Sequence, residues 1–111
     1  MEKAKNGIQL IAEERERQIK IGYDERHDSQ HSEDILVDAA INYASSALIG
    51  IKAKNLSVDD AMYFKFKFLE KFPSGWEFKP STNNIRDLVK AGALIAAAID
   101  RINSKLTVDN S

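Results

Sequence analysis

The sequence predicts an all-α domain, a four-helix, bundle-like arrangement. Three observations carry this expectation. Ile85, Leu88, Gly92, Ile95, Ile99 and Ile102 follow one another at steps of 3, 4, 3, 4 and 3, the spacing of one helix face. Apolar residues recur at helical intervals in three earlier stretches, about 7–21, 33–49 and 58–71. Polar or Gly/Pro-bearing breaks separate the four. At 111 residues the chain is one domain, 1–111, long enough to bury a core without disulfides or metals.

The first helix, about 7–21, places Ile8, Ile11, Ala12, Arg15 and Ile19 on one face. Glu13, Glu14, Glu16 and Arg17 cover the rest, and Gly22 is a natural stop. Residues 23–31, YDERHDSQH, lack periodicity and read as a loop holding both histidines. Ser32 suits an N-cap, with Glu33 and Asp34 at the positive end of the next helix, about 33–49. There Leu36, Ala39, Ala40, Tyr43 and Ala47 form a stripe, which Val37, Ile41, Ala44 and Leu48 widen. Asp38, Asn42, Ser45 and Ser46 leave a narrow polar face, and Gly50 is the expected end.

Ser57 can cap a third helix, about 58–71. Phe64-Lys65-Phe66-Lys67-Phe68 alternates with period two, as a strand would, but no partner strand is visible, so a helix is favoured. FPSGWEFKP, 72–80, breaks the pattern, and its Trp76 and Phe78 are too apolar to stand in water. The last helix, about 84–103, is apolar nearly all round from Ala91 to Ile99 and is expected to be central. Residues 104–111 are expected to fray. This Ala/Gly-lined helix has more apolar circumference than three short neighbours cover, so a homodimer is expected.

Sixteen basic and seventeen acidic residues give a net charge of −1, so no global field recruits nucleic acid or an anionic membrane. No cysteine is present, which removes thiolate chemistry. The longest apolar run, nine residues from Ala91, is far short of a membrane span, and MEKAKNGIQL has no apolar stretch long enough for a signal peptide. A cytoplasmic protein is the expectation. Neither GxxxxGK[ST], GxGxxG nor GxSxG occurs.

Three constellations could carry chemistry. Glu13 and Glu16 lie one turn apart, Asp38 sits on the narrow polar face, and Asp87 lies beside the apolar side of its helix, one turn before Lys90. Converging carboxylates would suit Mg²⁺, a hard cation that can hold a di- or triphosphate. The plainer reading makes Glu13 and Glu16 solvated charges and Asp87 a helix N-terminal acid. His27-Asp28-x-x-His31-x-x-Asp34 could bind a transition metal or supply a general base, but it matches no zinc motif, and a hydrogen-bonding role suits it equally. Lys52, Lys54, Lys65, Lys67 and Lys71, interleaved with phenylalanines, could bind single-stranded nucleic acid. A core role for the phenylalanines is simpler.

The runs Glu14-Arg15-Glu16-Arg17-Gln18, Gly22-Tyr23, His27-Asp28, His31, Lys79-Pro80 and Arg86 to Ile95 (RDLVKAGALI) resemble a family of small phage and prophage proteins, mostly uncharacterised. More distantly the chain is similar to the MazG-like all-α nucleoside triphosphate pyrophosphohydrolases, which cleave between α and β phosphates with Mg²⁺. Glu13-x-x-Glu16 matches that family's ExxE pair, and Asn84-x-x-Asp87 matches its ExxD pair at the aspartate. Joined to the constellations above, this resemblance gives the first expectation: a nucleotide substrate, Mg²⁺ on Glu13, Glu16, Asp38 and Asp87, phosphate contact from Lys90, catalytic help from His27 or His31, and base stacking by Trp76 and Phe78. The rival expectation is a non-enzymatic, phage-derived interaction or regulatory module in which Asp87 pairs with Lys90 or an arginine.

Overall fold

A computed structural model describes residues 4–20, 33–68 and 79–109. They form four helices: α1 (Gly7–Lys20), α2 (Glu33–Lys52), α3 (Val58–Phe68) and α4 (Asn84–Asp109). No strand occurs among the described residues, so the period-two run Phe64–Phe68 is helical. The all-α class stands. The ends of the expected first and third helices, at 21 and 69–71, lie outside the described residues, as does the histidine loop.

Side-chain caps begin three of the helices. Asn6 Oδ1 accepts from Gln9 N–H at 2.9 Å while Gln9 Oε1 accepts from Asn6 N–H at 2.8 Å, a reciprocal capping box. Ser57 Oγ accepts from Asp60 N–H at 3.1 Å. Asn83 Oδ1 accepts from Ile85 and Arg86 N–H at 3.0 and 3.3 Å.

Two helices run further than expected. α2 continues through Gly50 to Lys52. Gly50 is a place of close approach, because a Cβ there would lie 2.1 Å from Asn84 Oδ1 and 3.3 Å from Lys65 Nζ. α4 continues to Asp109, where fraying was expected from 104. Arg101 and Lys105 near its end reach Glu33 at the start of α2, at 3.3 and 2.6 Å.

Helices α2 and α4 are the main packed pair, and they run antiparallel. Glu33 meets Arg101 and Lys105, Ser46 meets Asp87, and Gly50 meets Asn84. The core between them is Leu36, Ala39, Ala40 and Tyr43 from α2 with Ala91, Leu94, Ala97 and Ala98 from α4. The α2 stripe expected to be buried is buried in full: Leu36, Ala39, Ala40, Tyr43 and Ala47. Its widening set, Val37, Ile41 and Leu48, is exposed. By length and composition α2 could cross a membrane, but its Leu36–Ala47 stripe is buried inside the fold.

α4 is central as expected, packed against both α2 and α1, and it keeps one uncovered apolar face. The alanines face inward, and the stripe of larger side chains faces out. Ile85, Leu88, Ile95, Ile99 and Ile102 are all 45–61% exposed. The reason is steric: alanines let two helix backbones approach closely, and a line of isoleucines on that face would hold them apart. A correction concerns α1. Glu14 and Gln18 are its buried residues, while Ile8 and Ile19 are exposed. The polar residues turn inward because Glu14 meets Arg86 of α4, as described below.

α1 joins α4 at Gly92, where a Cβ would fall 2.5 Å from Ile11 Cδ1 and 2.8 Å from its Cγ1. Gly92→Ala gains about 1 kcal/mol of helix propensity but overpacks Ile11, at a cost of about 1–3 kcal/mol. We expect a net loss of stability in urea denaturation, and a Gly92→Ala/Ile11→Ala pair that costs less than the sum of its parts. Strict additivity would mean that Ile11 does not fill this site.

Candidate functional site

Apart from Asn42, which donates to the Asp38 carbonyl of its own helix, the buried polar side chains among the described residues form two nodes at the start of α4. The first is Asp87, with no exposed surface. Ser46 Oγ of α2 donates to its Oδ2 at 2.6 Å, and Lys65 Nζ of α3 donates to the same oxygen at 3.2 Å. Ser81 N–H donates to Oδ1 at 2.8 Å. Lys65, 1% exposed, also donates to the Ser81 carbonyl at 2.6 Å. One carboxylate thus ties α2, α3, α4 and the segment leading into α4. A buried charge demands a partner and hydrogen bonds, and Asp87 has both.

The second node is Glu14 of α1. Arg17 donates to its two oxygens with Nε and Nη2, each at 2.8 Å. Arg86 Nη1 donates at 2.7 Å and Gln18 Nε2 at 3.2 Å. Burial alone would raise the pKa of this carboxyl, but the Arg17 and Arg86 hydrogen bonds overcome it and hold the group at about 2. Asp87 and Arg86 are adjacent on α4, so one turn of helix supplies both nodes.

Lys90 stands one turn further along. Its Nζ lies 5.2 Å from the centroid of the Tyr43 ring and donates to the Lys79 carbonyl at 3.0 Å. The Lys79 N–H in turn donates to the Tyr43 hydroxyl at 3.1 Å. Burial lowers the Lys90 pKa, and the neighbouring Arg86 charge lowers it further. The Asp87 and Glu14 carboxylates act in the opposite direction, so Lys90 stands among two arginines and two acids.

The residues expected to form a metal site are placed as follows. Glu13 is exposed and ion-paired with Lys5. Glu16 and Asp38 are exposed. Asp87 is buried at the first node, and its partner is Lys65, where Lys90 or an arginine was expected. His27, His31, Trp76 and Phe78 lie outside the described residues. Among the described residues no three His, Cys, Asp or Glu side chains gather as a metal would require. Asp87 itself does not fit Mg²⁺: three donors occupy its oxygens, and an ammonium group stands where the cation would have to bind.

Sequence reasoning missed Glu14, Ser46, Lys65 and Ser81. For Ser46 there was a signal. Asp38, Asn42 and Ser46 recur every four residues along an apolar helix, and two of them, Asn42 and Ser46, are buried. Lys65 gave none, because its alternation with phenylalanine reads as a solvated lysine between core aromatics. The described residues reverse this: Lys65 is buried, while Tyr63 and Phe64 are exposed and meet edge to face at 5.7 Å. No family model, curated protein or solved structure matches the chain.

Asp87→Asn leaves the Lys65 ammonium buried without its counter-ion, and a loss of about 3–5 kcal/mol in chemical denaturation is expected. Adding Lys65→Met to that variant should recover part of the loss. A double variant as unstable as the sum of the singles would refute the pairing. Glu14 sets a pH dependence. Its pKa in the fold, about 2, lies below its ordinary value of 4.5. The ionised form is therefore favoured by folding. The stabilisation is complete above the ordinary value and is lost as pH falls from 4.5 through about 2. Thermal melts should show Tm falling across that window, and Glu14→Gln should be less stable at neutral pH with a shallower acid slope.

Proposed function

We propose that the protein is a non-enzymatic helical interaction module, a regulator that works by presenting a helical surface to another protein. The observation that carries this reading is the division of labour on α4. The buried face spends its one carboxylate, Asp87, entirely on internal partners, while the opposite face holds a line of exposed isoleucines and leucines. Acids poised for catalysis are held where substrate can reach them, whereas large exposed apolar patches are the mark of association surfaces.

A Mg²⁺-dependent nucleoside triphosphate pyrophosphohydrolase is the second reading. It is favoured by one observation, the cations Arg17, Arg86 and Lys90 around Glu14, which suit a phosphate chain. Glu13, Glu16 and Asp38 do not gather into one group among the described residues, so this reading requires further ligands beyond them and leaves Asp87 to Lys65.

A pyrophosphate-release assay over all NTPs and dNTPs, with Mg²⁺ or Mn²⁺, separates the two. We expect no release above the blank and no metal-dependent rise in Tm. Release that depends on metal and is abolished by Lys90→Met would overturn the module reading and establish the hydrolase.

A further inference from the structure

The outward stripe of α4 is longer than its isoleucines between 85 and 102. Leu106, 53% exposed, extends it by one more step of four. Ile85, Leu88, Gly92, Ile95, Ile99, Ile102 and Leu106 therefore keep a 3-4 alternation over three heptads, with no charged residue at any of the seven positions. This is the repeat of a helix that packs lengthwise against another helix, where each side chain enters a gap between four residues of its neighbour. At one step the neighbour is internal, because Ile11 of α1 fills the space above Gly92. The other six side chains have no covering helix among the described residues.

We infer that this stripe is the contact surface of a homodimer, in which α4 of one protomer lies along α4 of a second copy. The inference rests on the module reading and names the partner for its surface. Three arguments select a second copy. First, a partner for a 3-4 stripe needs a stripe of the same period and comparable length. α4 carries one itself, so two copies related by a two-fold axis satisfy each other. α2 has a shorter outward series, Val37, Ile41, Ala44, Leu48 and Ile51, spanning two heptads.

Second, the area is of the right size. Six side chains, each about half exposed, leave on the order of 500 Å² of apolar surface per protomer, near the top of the range for the largest patch on a monomer. Pairing two such stripes buries roughly 1,000 Å², the threshold of a specific interface. Third, the flanking positions left exposed or half-buried along the stripe are Asn84, Ala96 and Asn103, all small or uncharged, while Lys105 at its far end is tied to Glu33. They offer no charge that would repel a second copy and no bulk that would hold it off.

Sedimentation and light scattering of the purified full chain test this directly. The wild type should have about twice the monomer mass and dissociate on dilution. Ile99→Glu/Ile102→Glu should be monomeric, with its helical circular dichroism retained because both positions are exposed. Ile8→Glu, on α1, serves as the control and should remain dimeric. The chain has no cysteine, so Ile95→Cys near the middle of the stripe gives a single site for a short bismaleimide. Cross-linked dimer is expected in high yield, and this readout stands even if the charged variant fails to fold. A wild type that is monomeric at every concentration, a dimer that survives Ile99→Glu/Ile102→Glu, or no cross-link at position 95 would each overturn the inference. A monomer inert to nucleotides would sink the homodimer and leave the module reading. A dimer that releases pyrophosphate would do the reverse.

Discussion

The buried ion pair of Asp87 and Lys65 is the constraint on which the described structure turns. An unpaired carboxylate or ammonium inside a protein costs several kcal/mol, so neither residue can be buried without the other. Their contact fixes where α3 meets the α2–α4 pair, and the Ser46 hydroxyl fixes the register of α2 against α4. The close approach at Gly50 follows from the same geometry. The Lys65 ammonium and the Asn84 amide lie in the space that a side chain at position 50 would occupy. The glycine that looks like a helix stop leaves room chiefly for the Asn84 side chain, with Lys65 Nζ next to it.

The two faces of α4 follow from the same economy of space. Alanine on the inner face lets α2 come near enough for Ser46 to reach Asp87, at 2.6 Å. Larger residues there would separate the backbones and break the node. The bulk of the helix's apolar surface is thereby moved outward, onto Leu88, Ile95, Ile99, Ile102 and Leu106. Burial of polar groups within and exposure of apolar groups without are two consequences of one close packing.

This explains what was legible in the sequence. The four helices, the cap at Ser57 and the inner stripe of α2 were readable because each depends on local period and local hydrogen bonding. Which face of α4 turns inward was not. Both faces are apolar, and the choice depends on how closely α2 can approach. Nor could Lys65 or Glu14 be identified as buried, because their partners lie 22 and 72 residues away along the chain. Of the expected site, Asp87 was correctly marked as an acid that needs a partner, and the partner came from the helix whose pattern was most ambiguous. Lys90 was singled out too, and it proves to be held by Tyr43 and the Lys79 carbonyl.

The segment leading into α4 is fastened in an unusual way. Lys79 and Ser81 are each bound twice, through their own N–H and C=O groups, to Tyr43, Lys90, Asp87 and Lys65. Main-chain atoms are the same whatever residue carries them. These four anchors thus depend on the N–H and C=O of positions 79 and 81 and not on their side chains, although the Ser81 hydroxyl also accepts from Asn83 N–H at 2.9 Å, and the spacing is rigid. Adding or deleting one residue between them would pull two of the four anchors out of reach. Here the length of the chain, more than its lettering, is what selection or a designer must preserve.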